Sequence, residues 1–268
     1  MKKILVILVI LGATAATAVM AECIRNLKNR FADDYSSDKR IERSVSGSDF
    51  HAIHASRAVE VLIVNASMQA IHIEAPEKLM PHVIVREQNG ILQISIDKKV
   101  KRISNAAVKV YVPTNGKIDE LQASSAAKII CQTSALGAES FTLDASSAGR
   151  IEAAVNTEHC RIEASSASMI KAAIRTGDCT IDISSAAKVV LAGSADKCTA
   201  DMSSAAKLNA PEFQVARYEI GTSSGAGASI QCTEELRAEA SSGSSIEYTG
   251  DCTTDLSRSS GGSIRQTR

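Results

Sequence analysis

The sequence predicts an all-β fold, a right-handed parallel β-helix, and three observations predict it. The first is a repeat. Ser-Ser pairs begin at residues 124, 146, 165, 184, 203, 223, 241 and 259, so the spacing stays near nineteen, a period that marks a solenoid rather than a globular core. The second is strand periodicity around each pair. Phe141-Thr142-Leu143-Asp144-Ala145, Cys160-Arg161-Ile162-Glu163-Ala164 and Cys179-Thr180-Ile181-Asp182-Ile183 alternate apolar and polar positions, as a strand with one buried face does. The third is composition: Ala and Ser are abundant, while four Phe, four Tyr and no Trp supply few bulky groups. Small residues suit a narrow core of stacked rungs about 4.8 Å apart.

The elements follow in chain order. Residues 1–21 read as a signal peptide: Lys2 and Lys3, an apolar run from Ile4 to Leu11, then small residues up to Val19-Met20-Ala21. A retained anchor is one alternative. Lipidation at Cys23 is another, although Glu22 stands where a lipobox wants a small residue. The expected location is outside the cytoplasm, whether periplasmic, outer-membrane-associated or secreted, with membrane contact only through such an anchor or lipid. Residues 22–43 are polar and charged and are expected to be a spacer. Residues 44–122 form an N-terminal β region, either irregular rungs or a cap. Its strands lie at Val59–Val64, Ala70–Ile73, His82–Val85, Leu92–Ile96 and Val108–Val112, between turn signals such as Asn89-Gly90. Residues 123–268 are the regular repeats, each a strand, a Ser-Ser corner, a second strand and a short return.

Stacking turns the repeat into columns. An apolar residue stands five positions after the first serine: Ile129, Ile151, Ile170, Val189, Leu208, Ile246 and Ile264, with Ile230 joining if its copy carries a two-residue insertion. Cys160, Cys179 and Cys198 share an inward column. Cys252 joins it if Thr249–Thr253 is aligned on Thr176–Thr180, and Cys131 and Cys232 fall in a second one. Spacings of nineteen carry no CxxC signature, and stacked Cβ atoms about 4.8 Å apart exceed the roughly 3.5–4.5 Å of a disulfide. The six therefore read as small buried hydrophobes.

The outward column Asp144, Glu163, Asp182 and Asp201 is the candidate ligand-binding feature, continued by Glu239 and, on the Cys252 alignment, by Asp255. Like charges so close repel. Solvent, calcium, or Lys128, Arg150, Lys188 and Lys207 across the corner could each relieve them.

Several function classes fall away. Thirty basic and thirty acidic residues give zero net charge, which argues against general affinity for nucleic acid. His51, His54, His72, His82 and His159 are dispersed, and no phosphate loop, GxSxG or HExxH motif is present. No catalytic residue, resident metal or cofactor is expected. A polysaccharide-cleaving enzyme built on Glu163 and Asp182 is the principal rival, yet the rungs vary by only a few residues and leave no long loop to shape a cleft. A structural spacer is a third reading.

The order Asp49-Phe50-His51-Ala52-Ile53, Val59-Glu60-Val61, Ile71-His72-Ile73, Asn89-Gly90-Ile91-Leu92-Gln93-Ile94 and Val108-Lys109-Val110-Tyr111-Val112-Pro113, followed by small-residue corners, resembles the auto-transporter adhesin head domain family, the GIN domain. The resemblance spans residues 44–268. It implies a right-handed parallel β-helix in an exported protein. It brings no catalytic residues. The expected function is a non-enzymatic envelope protein that binds or adheres through its outer faces, with a cell-surface glycan or an envelope protein as partner. Corners in the family carry Ser-Gly, whereas five here read Ser-Ser-Ala. Without glycine these five are expected to form ordinary turns at negative φ.

Overall fold

The computed structural model describes residues 38–267, apart from 48, 66–69, 102, 104–107 and 115. The expected export signal and Cys23 lie outside the described residues. The N-terminal strands are β1 (Arg40–Ser46), β2 (Ala52–Ala55), β3 (Glu60–Val64), β4 (Ala70–Pro76), β5 (Val83–Gln88), β6 (Ile91–Ile96) and β7 (Lys109–Pro113). The rungs continue through β8 (Glu120–Ala123), β9 (Lys128–Cys131), β10 (Leu136–Ala145), β11 (Arg150–Ala164), β12 (Met169–Ile183), β13 (Lys188–Met202), β14 (Lys207–Thr222), β15 (Gly227–Ala240), β16 (Ser245–Thr249), β17 (Thr253–Arg258) and β18 (Ser263–Gln266).

From β8 onward every pairing is parallel and joins each rung to the next, which makes a β-solenoid. Ile129, Ile151, Ile170, Val189 and Leu208 stack in register and are buried. Ala228, not Ile230, continues that column to Ile246 and Ile264. The expected two-residue insertion after Ser223 is absent because length changes are absorbed away from the corners. In β14 the extra chain sits at Pro211–Phe213, where the register with β15 shifts. A proline removes a ladder donor, so a bulge is where it fits.

Each Ser-Ser corner is a four-residue turn closed by an N–H···O bond of 2.8–3.2 Å, as from Ala187 N to Ser184 O. Its two central residues both have positive φ: 52° and 59° at Ser185 and Ala186, 50° and 71° at Ser224 and Gly225. That is the pattern of a type I′ turn. The expectation of ordinary turns at the five Ser-Ser-Ala corners is therefore wrong. A left-handed alanine costs about 1–2 kcal/mol. Stacking offsets it, because the N–H of each third residue donates to the carbonyl of the second serine one rung on: Ala167 to Ser185, Ala186 to Ser204, Ala205 to Ser224. The hydrogen-bond ladder thus continues through the corner. Replacing Ala186 by glycine, the residue already present at positions 225 and 243, removes the Cβ penalty and keeps the bond. Ala186→Gly is expected to stabilise the protein by about 0.5–1 kcal/mol, measured by urea unfolding. A loss of stability would show that the alanine is not strained there.

A further corner precedes the first Ser-Ser pair. Arg57 and Ala58 have φ of 62° and 59°, Ala58 N donates to Ser125 O at 3.0 Å, and β2 and β3 pair in parallel with β8 and β9. Ala55-Ser56-Arg57-Ala58-Val59 is thus a diverged copy of Ala123-Ser124-Ser125-Ala126-Ala127. The chain then turns back. β6 and β7 form a rung beneath β2 and β3, and the antiparallel strands β4, β5 and β1 close it. β1 begins at Arg40, within the segment expected as spacer. The cap covers strand edges that would otherwise be open, with Leu79, Ile94 and Ile96 buried inside it.

Candidate functional site

The acidic residues come together as the repeat implies. Asp144, Glu163, Asp182 and Asp201 are successive partners in the β10–β13 ladders. Gly221 follows Asp201, so the column is interrupted before Glu239 and ends at Ser257. Asp255 faces Arg237 instead. It and Cys252 were misplaced by the same alignment. The corners hold register while the bend at Gly250 takes up the length difference, so Thr254, not Cys252, stands beside Leu236.

The repulsion is partly relieved from within. Gln122 Nε2 donates to Asp144 Oδ2 at 2.7 Å. Arg161 donates to Glu163 and, at 3.2 Å, to Asp182 Oδ2 on the next rung. The guanidinium therefore bridges the carboxylates of two adjacent rungs. No trio of His, Cys, Asp or Glu among the described residues is placed to hold a metal ion. The basic stripe across the corner plays no such part: no ion pair among the described residues joins Lys128, Arg150, Lys188 or Lys207 to the acidic column, and Lys128 reaches Glu152 instead. A four-residue turn holds the two stripes apart on opposite flanks of one edge.

Between the acidic column and the first serine of each corner runs an open trough of about 830 Å³, extending from Asp144 to Ser259. Its second wall is serine, without a carboxylate opposite Glu163 or Asp182. Glycoside cleavage takes a pair of carboxyl groups flanking the scissile bond, and here the carboxylates stand on one wall of the trough.

Inside the solenoid Cys160, Cys179 and Cys198 stack as expected, and Tyr218 and Leu236 extend the column. Sulfur contacts to Cys160 and Cys198, and then burial, push the Cys179 thiol well above the ordinary range. Burial, and then the Cys198 thiol, do the same to the Tyr218 phenol. The second thiol column does not form. Cys131 pairs with Ile63 and is half-buried, while Cys232 is buried and pairs with Val215. Cys252 is half-buried as well, so four of the six cysteines expected inside are fully so. His51 and His54 each meet a carboxylate of the next rung, Asp119 at 2.9 Å and Glu120 at 2.7 Å. The hydrogen bond to Asp119, with its charge, raises the pKa of His51.

One surface feature escaped the sequence reading. A shallow groove of about 400 Å³ has Ala154, Ala173 and Ala192 stacked along its floor. Each alanine lies eight residues after the first serine of its corner, a fixed offset at which an apolar residue points outward. That offset was the available signal.

No helix among the described residues is long and apolar enough to cross a membrane. Comparison with known proteins agrees with the geometry. A "putative adhesin" from Parabacteroides merdae is 18% identical over 87% of this chain and 98% of its own, with a TM-score of 0.78. A "putative adhesin" from Parabacteroides distasonis is 14% identical over the same shares, with a TM-score of 0.77. A "putative lipid binding protein" from that species is 17% identical, again over 87% and 98%, with a TM-score of 0.75. At these identities the likeness is one of fold. No curated protein matches the sequence. The family model described as "Putative auto-transporter adhesin, head GIN domain" matches residues 49–252, and the chain belongs to that family.

Proposed function

We propose that the protein is a non-enzymatic, exported adhesion protein of the cell envelope and that the acidic edge of the solenoid is the face it binds with. The observation that carries this reading is the trough: a straight, open surface on which serine hydroxyls repeat at every rung and carboxylates at all but the rungs of Gly221 and Ser257. Single contacts on such a surface are weak, and many of them act together on an extended partner. Family membership favours adhesion, and a one-sided carboxylate column disfavours cleavage.

The test compares the wild-type chain with Glu163→Gln/Asp182→Asn/Asp201→Asn, each coated on beads. Retention on envelope material and on a glycan array is the readout. The variant is expected to lose binding at least fivefold while melting at the wild-type temperature. Equal retention would remove the acidic edge from the binding face. Release of reducing sugar ends by the wild type, absent in the variant, would restore the enzyme reading.

A further inference from the structure

The corner edge is dipolar, and its two halves match each other. Rung by rung, the acidic stripe carries Asp144, Glu163, Asp182 and Asp201, and the opposite flank carries Arg150, Met169, Lys188 and Lys207. All four residues of the second flank are exposed, and Asp201, Arg150, Lys188 and Lys207 make no side-chain hydrogen bond or ion pair among the described residues. Between the stripes stands a ridge of Ser-Ser-Ala turns, small enough for two backbones to approach closely.

We propose that this edge docks a second copy of the chain, side by side, about a two-fold axis parallel to the solenoid axis. Such an axis turns the acidic flank of one copy onto the basic flank of the other, and the reverse on the far side. Both copies then run in the same direction, and their rungs share one repeat of about 4.8 Å, so matching one rung matches all. Asp144 meets Arg150, Asp182 meets Lys188, and Asp201 meets Lys207. The remaining pair, Glu163 with Met169, is the rung without a cation. It is also the rung whose acid already has Arg161 beside it in the same strand. Met169 is the one large hydrophobic residue exposed among the described residues, at 37%, and this contact covers it. A two-fold axis perpendicular to the solenoid would set acid against acid, so antiparallel pairing is opposed. Acidic and basic residues nearly balance along the chain, so overall repulsion is weak.

This inference rests on the acidic edge being the binding face, and it names the partner. The test uses charge exchange. Asp144→Lys/Asp182→Lys/Asp201→Lys makes both flanks basic, and Arg150→Glu/Lys188→Glu/Lys207→Glu makes both acidic. In sedimentation equilibrium the wild type is expected to dimerise at low salt and to weaken at least tenfold in about 0.5 M salt, where the screening length falls to a few ångströms. Each variant alone is expected to be monomeric at its native melting temperature. The two mixed in equal amounts are expected to form a heterodimer. In a Cys23→Ser/Cys131→Ser/Cys252→Ser background, Ser260→Cys, at the tip of the last corner, is expected to give an oxidised dimer only in the parallel arrangement. A mixture that stays monomeric, a wild-type dimer indifferent to salt, or a dimer in which Ser260→Cys does not cross-link would each overturn the proposal. If the mixture fails while Glu163→Gln/Asp182→Asn/Asp201→Asn still loses envelope binding, the adhesion reading stands and the self-association does not. If the mixture associates while envelope binding is unchanged, the reverse holds.

Discussion

Replacing Gly193 by alanine is expected to cost about 3–5 kcal/mol of stability, while the same replacement at Gly225 costs less than about 1 kcal/mol. Both glycines have positive φ, 112° and 71°. They differ in what surrounds them. A Cβ at Gly193 would lie 2.0 Å from the carbonyl oxygen of Ile174 on the preceding rung, whereas nothing lies within 4 Å of one at Gly225. Accommodating the first means moving backbone out of a parallel ladder, so strain of about 1–3 kcal/mol adds to lost hydrogen bonding of similar size. Accommodating the second means only that Gly225 adopts what Ala186 and Ala205 already do at the same corner position. Urea midpoints of the two variants decide the matter. Equal, small effects would mean that the ladder yields at Gly193, and equal, large ones that alanine is tolerated at other corners for a reason besides stacking.

This contrast shows how far the sequence could be read. Rungs, columns and the acidic stripe were legible because a solenoid repeats one local environment, so eight Ser-Ser pairs report on it eight times. What was lost lay where the repeat and the geometry part company. The type I′ corners were missed because alanine at positive φ is unfavourable as a single residue. It becomes acceptable only when the N–H of Ala186 finds Ser204 O on the next rung, a contact the local sequence does not announce. The first corner was missed because Arg57 stands where the second serine belongs. Cys252 and Asp255 were misplaced because the echo of Thr-Gly-Asp-Cys-Thr is a stronger pattern than the corner spacing, whereas hydrogen bonding holds the corners and lets the bend at Gly250 vary. The cap was legible as strands but not as a fold, since β6 and β7 lie beneath β2 and β3 although they follow them in sequence. For the site the balance differs. The acidic column was found by counting, but its pairing with Arg161 and Gln122 depends on side-chain reach across rungs. The outward alanines are not legible as a site, because a small apolar residue on an outer face carries no polar signature until Ala154, Ala173 and Ala192 are stacked on adjacent rungs.

The thiols offer the sharpest measure of whether the interior is built as described. In a Cys23→Ser background at pH 8, iodoacetamide is expected to leave Cys160, Cys179, Cys198 and Cys232 unmodified in the native protein. Their protection should be at least about a thousandfold, because exposing them requires opening the stacked rungs and domains of this kind unfold at a cost of about 5–15 kcal/mol. Cys131 is half-buried and should react readily. Cys252 should be accessible but slow. Burial, and then the neighbouring Cys232 thiol, push its pKa from 9.0 up to about 11. The thiolate is the nucleophile, so at pH 8 that rise lowers the reactive fraction about a hundredfold. Its modification rate should rise roughly tenfold per pH unit and level off near pH 11, where an ordinary thiol would have levelled off near 9. The same groups set the alkaline limit of stability. A thiol whose pKa is higher in the folded state favours folding fully below its unfolded value, and that contribution is lost as pH rises from about 9 towards the folded value. Tyr218 adds to the loss from its own ordinary value of 10.0 upward. Melting temperature is therefore expected to fall above pH 9, and less steeply in Cys179→Ala/Cys252→Ala. Mass spectrometry of tryptic peptides reads the labelling residue by residue. Rapid native labelling of Cys179, or a plateau for Cys252 near pH 9, would show that the thiols do not lie as the rungs place them.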